Sequence, residues 1–233
     1  MARDTWCAEA SAVVEDVVED VFEQVGQVHE LLVASHDAAT ARGEQITDDD
    51  VRALAPALRR MLGRPGQLAV GMGVILEPGL LATNPLRIEW WQVGASRSEP
   101  TSLEVDLHPD SLNFYDYADT EWFAVPRSTR RRHIVGPYVD VHGTDSYLLT
   151  LTMPVEVDGT FIGVAGADVP MSRYETVVLG RLGTSGDTVV VNDQGRVVVS
   201  TTSRWLTGSL SEDDGFWPAT PMAQLPWRIM RPV

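Results

Sequence analysis

The dipeptide Asp158-Gly159 is the tightest constraint in this sequence. It separates residues 147–155 from 160–169, two runs rich in β-branched and apolar side chains. A type I′ turn needs positive φ at both central residues, and Asp-Gly meets that need readily. A two-residue turn sets Val157 opposite Thr160 and runs the pairing back to Leu149 opposite Asp168. One face then carries Leu149, Leu151, Met153 and Val155 beside Ile162, Val164, Gly166 and Asp168. An acid closes an otherwise apolar face. A loop over 143–146 puts Tyr138 opposite Leu151 and Asp140 opposite Leu149, on that same face. A phenol and two carboxylates then converge beside a glycine.

Upstream, residues 5–42 read as one long helix. Val14, Val18, Val21, Val25, Val28 and Leu32 recur at heptad spacing. Such a stripe either packs along its own domain or forms the seam of a homodimer, and the dimer is the expectation here. Thr47 to Asp50 resembles a capping box. The helix it starts runs to Leu62, and Pro56 either bends it or marks a late start. Strands follow at 68–76, 86–92 and 103–107. Gly71 and Gly73 inside the first predict a close backbone approach or a bulge. Trp90 and Trp91 must point to opposite faces, with Arg87, Glu89 and Trp91 on a salt-bridged outer face. A helix over 171–182, a hairpin over 188–200 and a closing strand over 226–233 complete the chain.

The fold class is therefore α+β. A long N-terminal helix precedes a central antiparallel sheet, and a short β extension ends the chain. The expected divisions are 1–66 (helical segment), 67–182 (ligand-binding domain) and 183–233 (rudimentary second module).

The 233 residues carry a formal charge of -15, which argues against nucleic acid and anionic membrane surfaces as partners. Cys7 stands alone, so no internal disulfide forms, and this fits a reducing compartment. No apolar run approaches a transmembrane span, and the Met1 end lacks a signal-peptide core. Together these predict a cytoplasmic protein, or an extracellular one if the chain is part of a longer protein.

Chemistry-bearing patterns are sparse. His133, Asp140 and His142, with His108 further away, are the best metal cluster, but no ligand spacing supports it. No nucleophile elbow or phosphate-binding fingerprint is present. Asp140 and Asp168 are the one carboxylate pair suited to acid–base work. The expectation is no enzyme, no cofactor and no metal. Arg127, Arg130, Arg131 and Arg132 form a cationic island, either a solvated face or an anion clamp.

Residues 113–170, read as Trp-aromatic, Gly-Pro-Tyr-Val-Asp, Leu-Thr-Leu-Thr-Met-Pro-Val, Asp-Gly and Gly-Val-Ala-Gly-Ala-Asp-Val, resemble the Cache family. These PAS-like modules of bacterial sensory proteins bind small metabolites over an antiparallel sheet. The resemblance implies a ligand between the sheet and residues 115–123, touched by Tyr115, Tyr117, Trp122, Phe123, Arg127, Tyr138, Asp140 and Asp168. Amino-acid-binding members place an Arg two residues before the Trp-Tyr pair to grip the ligand carboxylate. Here that position is Thr120 and the pair is Trp122-Phe123, while Tyr138 and Asp168 remain for the amine. Either Arg127 or Arg87 replaces the clamp, or the ligand is not an α-amino acid. The implied function is a small-molecule sensor that signals through a separate signalling or transcription partner. The alternative is a structural or dimerisation module with a self-filled pocket.

Overall fold

The computed structural model describes residues 2–94, 99–140, 146–183, 186–211 and 219–231, with side chains from Trp6 onward. Helix α1 spans Ala2–Ala41. Thr47 caps α2 (Asp48–Arg52) through a capping box with Asp50. Pro56 sits at the first turn of a separate α3 (Ala55–Leu62), where its missing N–H is unneeded, so it marks a late start. Strands β1 (Gly71–Leu76), β2 (Ile88–Gln92) and the short β3 (Thr101–Ser102) precede α4 (Glu121–Thr129). The third strand is thus earlier and shorter than the expected 103–107. Then come β4 (His133–Val139), β5 (Tyr147–Val157), β6 (Thr160–Pro170) and α5 (Met171–Leu182). The chain closes with β7 (Val189–Val191), β8 (Val197–Ser200), β9 (Thr220–Pro221) and β10 (Arg228–Met230).

Two sheets result, one of six strands in the order β3-β2-β1-β6-β5-β4, one of four in the order β8-β7-β10-β9. The chain forms two compact units. One comprises Val21–Val135 and Val139–Pro170; the other comprises Met1–Asp20, Gly136–Tyr138 and Met171–Val233. The larger unit contains most of the six-stranded sheet. The smaller unit is built on a valine core over Val189, Val191 and Val197, with Met230 beside them. In it, Asn192 caps the β7–β8 turn by accepting from the Gln194 and Arg196 amides. Helix α5 groups with this small sheet.

The hairpin turn forms where Asp158-Gly159 predicts, with Asp158 at φ 50° and Gly159 at φ 75°. Val157 pairs with Thr160 and Glu156 with Phe161, but Val155 pairs with Gly163. Ile162 is an extra residue, and this β-bulge shifts every later pair by one. Asp168 therefore lies opposite Thr150, and Leu149 lies opposite Val169. Gly163 permits the bulge. Its φ is 149°, and a Cβ there would come within 2.3 Å of the Ile75 carbonyl oxygen.

Because a one-residue shift exchanges faces, the face bearing Asp168 carries Thr150, Thr152 and Gly166, with Gly71 and Gly73 from β1 and Trp90 from β2. Leu149, Leu151, Ala165, Ala167, Met72 and Val74 bury the opposite face. Gly73 confirms the expected close approach: a Cβ would sit 2.0 Å from the Glu89 carbonyl oxygen. On the far face Arg87 bridges Asp48 at 2.7 Å and Glu89 at 2.5 Å, and the Trp91 indole donates to Glu89 at 2.7 Å. Glu89 is buried there, so this network is an interior one and not the outer face the alternation suggested.

The stripe of α1 is also interior. Val14, Val21, Val25, Val28 and Leu32 are at most 1% exposed in the single chain. The expected homodimer seam is corrected accordingly: these residues already pack within their own protomer.

Candidate functional site

The site grows from the cross-strand row Gln92, Gly71, Asp168 and Thr150, one residue from each of β2, β1, β6 and β5. Asp168 is buried, and its carboxylate accepts from the Thr150 hydroxyl at 2.7 Å. The Trp90 indole N–H is its second donor. Gly71 makes room for this arrangement. A Cβ on it would lie 2.7 Å from Trp90 Nε1 and 3.0 Å from Asp168 Oδ2. Burial pushes the Asp168 carboxyl up to about 7; the Thr150 hydrogen bond opposes that, and the nearby Asp140 charge adds to it. The phenol of half-buried Tyr115 is likewise pushed up, chiefly by burial and then by Asp140 and Asp168. Asp168, Asp140 and Tyr115 therefore act on one another electrostatically.

Asp140 reaches this face by a different register from the expected one. Its amide donates to the Ser146 carbonyl at 3.0 Å, so it lies beside Ser146 and not opposite Leu149. Tyr138 stands two residues earlier on β4, half-buried. His142 and most of the 143–146 loop lie outside the described residues. His133 pairs with Glu121 at 2.8 Å. Among the described residues no group of three metal-ligating side chains is gathered.

The other expected contacts lie farther along the sheet, with Trp122 nearest the acid. Tyr117 is 1% exposed; its hydroxyl donates to the Leu76 carbonyl at 2.8 Å and accepts from the Arg87 amide. Leu76 is five residues along β1 from Gly71, roughly 17 Å at strand rise. Phe123 is fully buried edge-on to Tyr117 and Phe161 at ring separations of 5.2 and 5.7 Å. Trp122 packs edge-on to Phe123 at 6.3 Å, and its carbonyl accepts from the Thr152 hydroxyl at 2.8 Å. These rings form one apolar cluster with Ile75, Ile88, Val164 and Trp90, and Tyr115 packs against it, so the cluster is continuous with the Asp168 site. Arg127 is exposed and pairs with Glu77, whose amide donates to Ile162. Ile162 is six residues from Asp168, roughly 20 Å along β6.

Neither proposed replacement for a carboxylate clamp reaches Asp168. Arg87 is committed to Asp48 and Glu89 on the opposite face. Thr120, in the clamp's position, donates to the Tyr117 carbonyl at 2.6 Å. Arg130 pairs with Glu156 and covers the Phe161 ring, while Arg132 covers Phe22. What remains is a buried acid held by neutral donors, beside a second acid and a phenol. That arrangement suits a cation.

The sequence pattern had not pointed to Thr150, which the bulged register brings beside Asp168, or to Trp90 and Gln92, which the pairings of β1 bring there. Gly163 within the strand was the available signal. Gly71→Ala should leave the protein folded but weaken ligand binding about tenfold or more, because the added methyl parts Trp90 from the carboxylate. Paired titration calorimetry and thermal melts would check this; equal losses in both would overturn it.

Residues 69–176, just under half of the chain, match the family model described as the first PDC sensor domain of methyl-accepting chemotaxis protein-like receptors. The methyl-accepting chemotaxis protein TlpQ of Pseudomonas aeruginosa is 29% identical over 90 residues. That stretch is 38% of this chain and 13% of the receptor, so the chain spans a small part of the curated relative's length. The extracellular domain described as that of a histidine kinase, mmHK1S-Z3, superposes with a TM-score of 0.66 at 13% identity, covering 99% of this chain and 94% of that one. The ligand-binding domain of the Campylobacter jejuni chemoreceptor Tlp3, in complex with L-norvaline, gives 0.59 at 18%, covering 98% and 90%. At such identities the structural likeness is one of fold. The expectation of a cytoplasmic protein is corrected by these matches: the family model is a receptor sensor domain, TlpQ is a chemoreceptor, and the histidine-kinase domain is described as extracellular. A lone cysteine and the lack of an apolar span among the described helices do not identify a compartment.

Proposed function

We propose that the PDC sensor domain carried by residues 69–176 recognises a small cationic amine outside the cell and passes its occupancy to a separate signalling module. The buried Asp168 carboxylate carries this reading. It is held by a hydroxyl and an indole, so among the described residues the donors to its charge are neutral. An ammonium group would supply the missing countercharge, with Asp140 and the Tyr115 ring beside it. The Tlp3 domain was solved in complex with L-norvaline. In this chain the candidate clamp arginines are engaged elsewhere, which favours an amine without a gripped carboxylate. The division at 66/67 and 182/183, and the absence of chemistry, belong to the same proposal. In the structural-module alternative the chain's own rings fill the pocket, as they do at the end around Phe123.

The test is calorimetric titration with n-butylamine and with L-norvaline across pH. An amine binds the ionised form of Asp168, so affinity should be level above about pH 7 and fall about tenfold per unit below it. Stability of the free protein should move the opposite way. The folded state holds this proton more tightly than the unfolded chain, so the contribution is full below about pH 4 and lost as pH rises through about 7. Tighter binding of norvaline than butylamine, or an affinity indifferent to pH between about 5 and 8, would refute the amine reading.

A further inference from the structure

Gln92 ends β2 on the ligand face, two residues after Trp90 and in the same row as Gly71 and Asp168. Its amide oxygen is buried and has no hydrogen-bond partner among the described residues. A buried carbonyl oxygen without a donor is destabilising, and a bound molecule that supplies the donor accounts for it. Gln92 and Asp168 flank Gly71, so their backbones stand two strand spacings apart, roughly 10 Å. The carboxylate leans back over Gly71, within 3.0 Å of where a Cβ would be. The Trp90 indole nitrogen also stands over Gly71, so a short chain linking the two acceptors would run along the indole's edge.

The geometry points to Gln92 as a second ligand contact, accepting a hydrogen bond from a neutral O–H or N–H group at the far end of the amine held by Asp168. The inference rests on the amine reading and narrows it to short amines with a terminal neutral donor, such as amino alcohols. A neutral donor fits better than a second cation, because an amide has no charge to offset another desolvated ammonium. Nothing about the Asp168 end requires the second group, so the two contacts are separable by experiment.

Calorimetry with length-matched pairs makes the test: n-butylamine against aminopropanol, n-pentylamine against aminobutanol, n-hexylamine against aminopentanol. At one length the amino alcohol should bind roughly two- to tenfold tighter than its partner. Gln92→Met, which keeps the side chain's length, should erase that gain. Alkylamine binding with no hydroxyl gain at any length overturns this inference alone, as does a gain that survives in Gln92→Met. Binding of neither series overturns the amine reading and this inference with it.

Discussion

Asp168→Asn should abolish amine binding while leaving the ligand-free protein as stable as the parent, or more so at about pH 8. In the parent the carboxylate is buried with two neutral donors, and its charge is the unfavourable part of that arrangement. Asparagine keeps the shape. Its amide oxygen can accept from the Trp90 indole, and the Thr150 hydroxyl can rotate to accept from the amide N–H, so no buried polar atom is orphaned. The ligand, by contrast, loses its countercharge inside a desolvated site, a loss on the order of 2–5 kcal/mol. Had the arginines at 130–132 paired with Asp168, the same change would have lowered the melting temperature. Arg130 and Arg132 are instead engaged elsewhere. Melting curves of both proteins at that pH, with and without n-butylamine, decide the matter. A mutant that melts lower yet keeps the full ligand-induced shift would sink the assignment.

Val25→Glu should unfold the larger unit before it changes any oligomeric state. Val25 is fully buried in the single chain, and a glutamate there would be a desolvated carboxylate without a partner. The expected destabilisation is about 3–5 kcal/mol, a fall in melting temperature of roughly 10 °C for a chain of this length. A surface seam would respond otherwise: sedimentation would show a smaller mass with an unchanged melt. That outcome would overturn the packing described for α1.

The contrast shows what the residue pattern resolves. A valine every three or four residues fixes a helix with one apolar side, but a dimer seam and a core-facing helix need the same pattern. The hairpin was legible because Asp158-Gly159 has few alternatives. Its register was not, because an extra residue at Ile162 leaves the alternation of each strand intact and changes only which strand positions meet. The β4–β5 loop was also misplaced by an odd number of positions, with Asp140 beside Ser146. Two odd shifts restore the facing, so Asp140 and Asp168 still act on each other, though among threonines in place of leucines. Arg127 and Tyr117 show a different limit. Their residue types suit a binding site, but their distance along the strands from Asp168 depends on a fold the composition does not encode.

The bulge opposite Val155 also bears on how a domain of this kind can acquire a new ligand. Adding or deleting a single residue between Glu156 and Ile162 would turn the Asp168 side of β6 toward the opposite face of the sheet and present Val169 and Ala167 to the ligand instead. Length changes that neither the turn nor a bulge absorbs would therefore move the whole face at once, whereas point changes at Thr150, Gln92 or Gly71 act one residue at a time. Retuning this binding face, by selection or in the laboratory, has to proceed by substitution with the strand phase held fixed.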